Sequence, residues 1–162
     1  MKAAFLDRDG VINNNAVKYY VYKISDFTFN PGVFAAARAL SEKGYALFVI
    51  SNQGGISKGE YLKSDVETLH TYMINSFLSE NITLTEVYYC PHHSSVENCI
   101  CRKPNSLLLE KAIARYSINI NESFMCGDSE RDIQAAEKIG LKAFKVNANQ
   151  NLWDQLNKFQ LI

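Results

Sequence analysis

Asp7 and Asp9 stand two residues apart in Phe5-Leu6-Asp7-Arg8-Asp9-Gly10, and a second acidic group, Asp128, Glu130 and Asp132, follows Gly127. Carboxylates gathered in this way repel one another and call for a cation to offset their charge. Oxygen ligands without histidine suit Mg²⁺, which takes one or two carboxylates, keeps several waters and accepts a substrate phosphate. Taken singly, either group could be no more than aspartates that end strands or cap helices. Gly10 lets the backbone turn sharply just after the first pair.

A second chemistry lies in Cys90-Pro91-His92-His93 and Cys99-Ile100-Cys101, which place three thiols and an imidazole within twelve residues. Cys₃His is a standard closed, structural zinc set. On proximity alone either His92 or His93 completes it. An aperiodic loop longer than ~12 residues needs an internal tie, and zinc supplies one. Arg102 and Lys103 follow Cys101 directly, so a metal here would also fix where those cations point.

The thiols read as ligands because the chain reads as cytoplasmic. Its first residues meet Asp7 too early for a signal peptide, and no apolar run approaches the ~18 residues of a membrane helix. Thiols in that compartment stay reduced. Cys126, within an apolar run, reads as core, and His70, on a helix, as non-catalytic.

Short apolar runs alternate with longer periodic segments, and these must position the polar residues. Strands are expected at Ala3–Leu6, Tyr45–Ile50, Glu86–Tyr89, Phe124–Cys126 and Lys142–Val146. Helices are expected at Val33–Lys43, opened by Pro31 and closed by Gly44, and at Leu62–Ser79, Ser106–Tyr116, Ser129–Ile139 and Leu152–Leu156. That alternation predicts an α/β fold, a mainly parallel sheet between two layers of helices. Asp7, Ser51, Cys90 and Asp128 each come at a strand end, where such sheets collect their sites.

With 162 residues, 47% hydrophobic and 21% charged, the chain fits one globular domain over residues 1–162. Lys+Arg and Asp+Glu both total 17, so there is no net field to attract nucleic acid or an anionic membrane. The expected partner is a small molecule.

Four motifs in order, Phe5 to Gly10, Ser51-Asn52-Gln53, Arg102-Lys103-Pro104 and Gly127-Asp128 through Asp132, resemble the haloacid dehalogenase superfamily of phosphatases, and the cysteine-histidine segment resembles its zinc-containing branch. The resemblance runs from Phe5 to about Val146. It implies a capless Rossmann-like three-layer fold with a zinc loop at 90–101. It implies Asp7 as nucleophile and Asp9 as general acid and base. Ser51 and the Asn52 backbone amide would hold phosphate oxygens, Lys103 would offset phosphate and Asp7 charge, and Arg102 would bind substrate oxygen. Mg²⁺ would sit on Asp7, Asp128 and the carbonyl of Asp9, with Asp132 orienting this group or remaining a surface charge. Zinc would take Cys90, His92, Cys99 and Cys101, leaving His93 free to face the site. The implied substrate is a small phosphate monoester, first a heptose bisphosphate losing its 7-phosphate, with histidinol phosphate as the alternative. Further alternatives are a polynucleotide 3′-phosphate and a zinc-loop binding module without catalysis. The chain is expected to be a monomer.

Overall fold

Alternation along the strands divides the hydrophobic core in two. The computed structural model describes all residues, Met1–Ile162. In β1 (Lys2–Leu6) and β2 (Tyr45–Asn52), Ala4, Leu6, Leu47 and Val49 point to one side of the sheet, while Ala3, Phe5, Phe48 and Ile50 point to the other. Successive side chains of a strand face opposite ways, so a strand buried on both sides feeds two cores.

The larger core is closed by α1 (Val33–Glu42), α2 (Lys63–Ser79) and α5 (Leu152–Lys158), through Leu40, Met73, Phe77 and Leu156 among others. The smaller is closed by α3 (Leu107–Tyr116) and α4 (Glu130–Glu137), through Leu108, Leu109, Ala112, Ala135 and Ala136. The expected three layers are therefore present. No helix is long and apolar enough to cross a membrane.

With β3 (Leu84–Cys90), β4 (Phe124–Gly127) and β5 (Lys142–Lys145), the sheet has five strands in the order β3-β2-β1-β4-β5, all parallel. The chain winds outward from β1 to β3, then crosses back to place β4 on the other side of β1. That reversal makes the carboxyl ends of β1 and β4 a topological switch point, where neighbouring loops diverge and leave a crevice. Asp7 and Asp128 are the first residues beyond those two strands.

Most boundaries differ from the sequence expectation by one or two residues, and two of these bear on the site or its edge. The second strand continues through Asn52, because Ser51 pairs with Tyr89 and Asn52 with Cys90, so Ser51 lies inside the strand end. The third strand begins at Leu84, earlier than Glu86. It is an edge strand with mostly half-buried residues, which blurs the apolar signal at its start. The connections 7–32 and 53–62 contain one short 3-10 turn, Ile24–Asp26, and no inserted domain, consistent with a capless fold.

Candidate active site

Asp7 leaves β1 with its amide still bonded to the Cys126 carbonyl at 3.0 Å, which ties it to β4. Its Oδ1 accepts from the Arg8 amide and from Lys103 Nζ, both at 2.8 Å. Lys103 is 2% exposed and also donates to the Ile50 carbonyl at 2.6 Å. On its remaining side it pairs with Asp132 Oδ1 at 2.6 Å. Asp132 is 1% exposed, so it is no surface charge. Its Oδ2 accepts from the Ser129 amide and hydroxyl at 3.0 and 2.7 Å, completing the capping box that starts α4. One aspartate thus caps a helix and anchors the buried lysine.

Asp7, Asp128 and Asp132 bring carboxylate oxygens within 4.8 Å of one another. Three carboxylates against the single Lys103 ammonium leave two negative charges, which a divalent cation would balance. Burial, then the Asp132 charge, push Asp7 up to about 8 despite Lys103. Burial and Asp132 likewise raise Asp128. Asp132 goes the other way. Burial would raise it, but the Lys103 charge and the bonds from Lys103 and Ser129 outweigh that and lower it. Burial also opposes charge on Lys103, yet Asp7 and Asp132 together hold its ammonium above the ordinary range. Gly10, at φ 87°, completes the cradle: a Cβ there would lie 2.1 Å from Asp128 Oδ2. This donor set fits Mg²⁺.

Asp9 is held by donors alone. Arg8 Nη2 reaches both its oxygens at 2.8 and 2.9 Å, Asn13 Nδ2 donates at 3.0 Å, and Gln53 Nε2 donates at 2.8 Å. Arg8 itself is fully buried and also donates to the Val21 carbonyl and to His70 Nε2, at 2.7 and 3.2 Å. A guanidinium only donates, so His70 Nε2 must be the acceptor and the ring proton sits on Nδ1. Burial, reinforced by Arg8, lowers the His70 pKa to about 3.

The unfolded chain therefore takes up this proton near pH 6.5, while the folded one does not until about 3. Stability attributable to the neutral ring is whole above pH 6.5 and falls by about 1.4 kcal/mol per pH unit below it. A His70→Gln variant, whose amide oxygen can accept from Arg8, should lose about 2–3 kcal/mol less than wild type between pH 7.5 and 4.5. Urea unfolding at both pH values measures this; parallel losses in the two proteins would refute it.

Asn52 clamps the Lys103 backbone, donating to its carbonyl and accepting from its amide, both at 3.0 Å. Ser51 is 1% exposed and its Oγ accepts from Gln53 Nε2 at 2.8 Å. The pocket wall is formed by Asp7, Asp9, Asn52, Gln53, Lys103 and Asp128 at its floor, with Arg102, His93, Tyr20 and Arg131 also lining it. Ser51 lies behind Gln53, outside that wall. Arg8 and Gln53, which organise Asp9, had no sequence signal beyond standing beside acids and polar motif residues.

The cysteine-histidine loop gathers as expected, away from the pocket wall. Cys90 Sγ lies 3.7 Å from Cys99 Sγ, 3.1 Å from Cys101 Sγ and 3.6 Å from His92 Nδ1, and His92 Nδ1 lies 3.2 Å from Cys101 Sγ. Zinc bonds of ~2.3 Å to sulfur and ~2.0 Å to nitrogen give tetrahedral edges of roughly 3.5–3.8 Å, so the set fits zinc in a slightly contracted form. His92, not His93, belongs to it. His93 instead bonds Ser57 and Ser95 and borders the pocket. Arg102 Nη1 donates to the His92 carbonyl at 3.0 Å, so the loop holds the arginine at the pocket edge.

Comparison with known proteins agrees with this geometry. The HAD-hydrolase-like family matches residues 100–160. The chain is 43% identical over 134 residues to the D-glycero-alpha-D-manno-heptose-1,7-bisphosphate 7-phosphatase of Campylobacter jejuni, covering 83% of this chain and 75% of that one. It is 42% identical over 142 residues to the D-glycero-beta-D-manno-heptose-1,7-bisphosphate 7-phosphatase of Helicobacter pylori strain 26695, covering 87% and 80%. Among solved structures, the D,D-heptose 1,7-bisphosphate phosphatase of B. bronchiseptica, complexed with magnesium and phosphate, superposes with a TM-score of 0.85 at 26% identity, covering 98% of this chain and 87% of that one.

Proposed function

The chain belongs to the haloacid dehalogenase-like hydrolases, the family of those heptose-bisphosphate phosphatases, and from that membership we propose that it is a phosphatase that removes the 7-phosphate of D-glycero-D-manno-heptose 1,7-bisphosphate. The observation carrying this reading is Asp7 itself. It stands at the switch point beside the Asp128 carboxylate, with Oδ1 occupied by Lys103 and Arg8 and Oδ2 left without a protein donor.

Asp7 attacks phosphorus, the bond from phosphorus to the ester oxygen breaks, and the phosphoryl group rests on the Asp7 carboxylate. Asp9 gives its proton to the departing alkoxide. It then takes a proton from the water that attacks the phospho-aspartate, which releases phosphate and restores Asp7. Lys103 offsets charge on Asp7 and on the phosphoryl oxygens, and the Asn52 clamp fixes where that ammonium points. The Asn52 amide and Ser51 are assigned to the phosphate oxygens, Ser51 once Gln53 yields access to it. Mg²⁺ on Asp7, Asp128 and the Asp9 carbonyl would supply the charge that lets a carboxylate approach a phosphate dianion. Zinc on Cys90, His92, Cys99 and Cys101 would have a structural role, holding loop 90–101 within the one domain so that Arg102 and Lys103 reach the pocket.

The pocket edge favours a bisphosphate over histidinol phosphate. Arg102, Lys58 and Arg131 together depress His93, after the effect of burial, so the mouth is positive in a chain of zero net charge. A second phosphate is welcome there and an ammonium is not. The two close relatives carry opposite anomer names at nearly equal identity, so the proposal extends to either anomer. Side-by-side kcat/KM with Mg²⁺ should favour heptose 1,7-bisphosphate over histidinol phosphate by more than about tenfold, or 1.4 kcal/mol. A smaller ratio would sink the substrate assignment. Elemental analysis of the same preparation should find one zinc per chain, and none would sink the zinc role.

A further inference from the structure

In the pocket wall, one almost wholly buried tyrosine reaches the proposed acid through a single amide. Tyr61 is 6% exposed and donates from its hydroxyl to Gln53 Oε1 at 2.8 Å. Its ring packs on Gly55, where a Cβ would lie 2.1 Å from the tyrosine Cε1. Gln53 Oε1 is the hydroxyl's hydrogen-bond acceptor, so the phenolic proton is directed to it. On the other side of the same amide, Gln53 Nε2 donates to Asp9 Oδ2 and to Ser51 Oγ, both at 2.8 Å. Hydrogen bonding therefore sets the amide orientation: oxygen toward Tyr61, nitrogen toward Asp9.

We propose that Tyr61 is a positioning residue for the acid step: by occupying the Gln53 oxygen it leaves a protonated Asp9 surrounded only by donors, so that its proton has nowhere to go but the leaving group. This rests on the phosphatase reading above. While Asp9 is ionised, its own charge keeps Gln53 Nε2 toward it. Once Asp9 is protonated, that constraint weakens, and a flipped Gln53 would offer Oε1 to the Asp9 hydroxyl. The proton would then be held in an internal hydrogen bond. Of the other neighbours, Arg8 Nη2 cannot accept it, and Asn13 keeps its Nδ2 toward Asp9 because the same nitrogen also donates to the Asn14 carbonyl at 3.2 Å. The Tyr61 hydroxyl removes that trap because it must find its own acceptor, and Gln53 Oε1 is the one it faces. In the productive step the Asp9 O–H bond breaks as the bond from phosphorus to the ester oxygen breaks, and the proton ends on the departing oxygen.

The test is leaving-group dependence, which a merely structural tyrosine would not alter. p-Nitrophenolate departs without a proton, whereas the alkoxide of benzyl phosphate, an ester of similar size, needs one. General acid catalysis spans ~10²–10⁴-fold, so partial loss of it in Tyr61→Phe should lower kcat/KM about tenfold on benzyl phosphate, and less than about twofold on p-nitrophenyl phosphate. Losses on the two esters that differ by less than about threefold, including no loss on either, overturn the proposal. In a Gln53→Met background the tyrosine acts through a side chain no longer present, so Tyr61→Phe should add less than about twofold to the benzyl phosphate loss. A full additional loss there also overturns it. Wild-type protein inert to both esters would bring down the phosphatase reading itself, and this inference with it.

Discussion

Asp7→Asn is expected to abolish turnover, by at least about 10⁴-fold in kcat/KM, while leaving a folded and more stable protein. The amide keeps the shape of the side chain but cannot attack phosphorus, so the first covalent step disappears and with it the phosphoryl-enzyme adduct seen by mass spectrometry in wild type. Stability should move the opposite way. Burial and Asp132 raise Asp7 to about 8 from its ordinary 3.8, so the metal-free native state binds a proton that the unfolded chain releases. An acid raised in this way stabilises the fold fully only below pH 3.8, and that contribution drains away as pH climbs towards 8. In EDTA the variant should equal wild type near pH 4 and exceed it by a few kcal/mol at pH 8, an order-of-magnitude figure. Activity within a hundredfold of wild type would refute the nucleophile. A variant less stable than wild type at pH 8 would refute the account of crowded carboxylates.

Lys103→Met should cost both activity and stability. The ammonium lies between Asp7 and Asp132, at 2.8 and 2.6 Å, and is almost wholly buried. Removing one partner of a buried ion pair leaves the other uncompensated, at a cost of about 3–5 kcal/mol. Here three carboxylates lose their only shared cation. Turnover should fall at least about 10³-fold, since a preorganised charge facing the phosphoryl oxygens is lost as well. Added Mg²⁺ should recover part of the stability, because it replaces the missing charge, and little of the activity, because it cannot replace the ammonium's position. Arg102→Met is the control: Arg102 is only half-buried and has no carboxylate partner, so urea unfolding should change by less than about 1 kcal/mol. Equal stability losses for the two variants would show that Lys103 is not the buried counter-ion described.

Local spacing already contained much of the site. Cys90, His92, Cys99 and Cys101 lie within twelve residues, so few conformations of that loop leave them apart, and their gathering was legible from pattern and family resemblance together. Asp7 and Asp9 flank one strand end, and the run Ala3 to Leu6 that places them there is unmistakably apolar. Spacing alone did not choose between His92 and His93, because adjacent residues satisfy it equally; the family resemblance named His92, and it is His92 that lies with the three thiols. Asp132 was legible as an orienting group but not as the partner of Lys103. Its periodicity marks only a helix start, and nothing local says that the lysine lies underneath.

What the sequence determined by itself is the set of strands and helices and the polar residues at their ends, since periods of two and of 3.6 are written along the chain. Which strand lies beside which was decided only by the tertiary structure. Backbone hydrogen bonds in a ladder are alike for every pairing, so β4 joins β1 through how the two helical layers pack and not through any motif in Phe124 to Gly127. That adjacency brings Asp128 to Asp7 across some hundred and twenty residues. The inward turn of Arg8, the depth of Lys103 and the bond from Tyr61 to Gln53 follow from the same closure. Each depends on which polar groups are left to one another once water has been excluded, a property of the packed molecule alone.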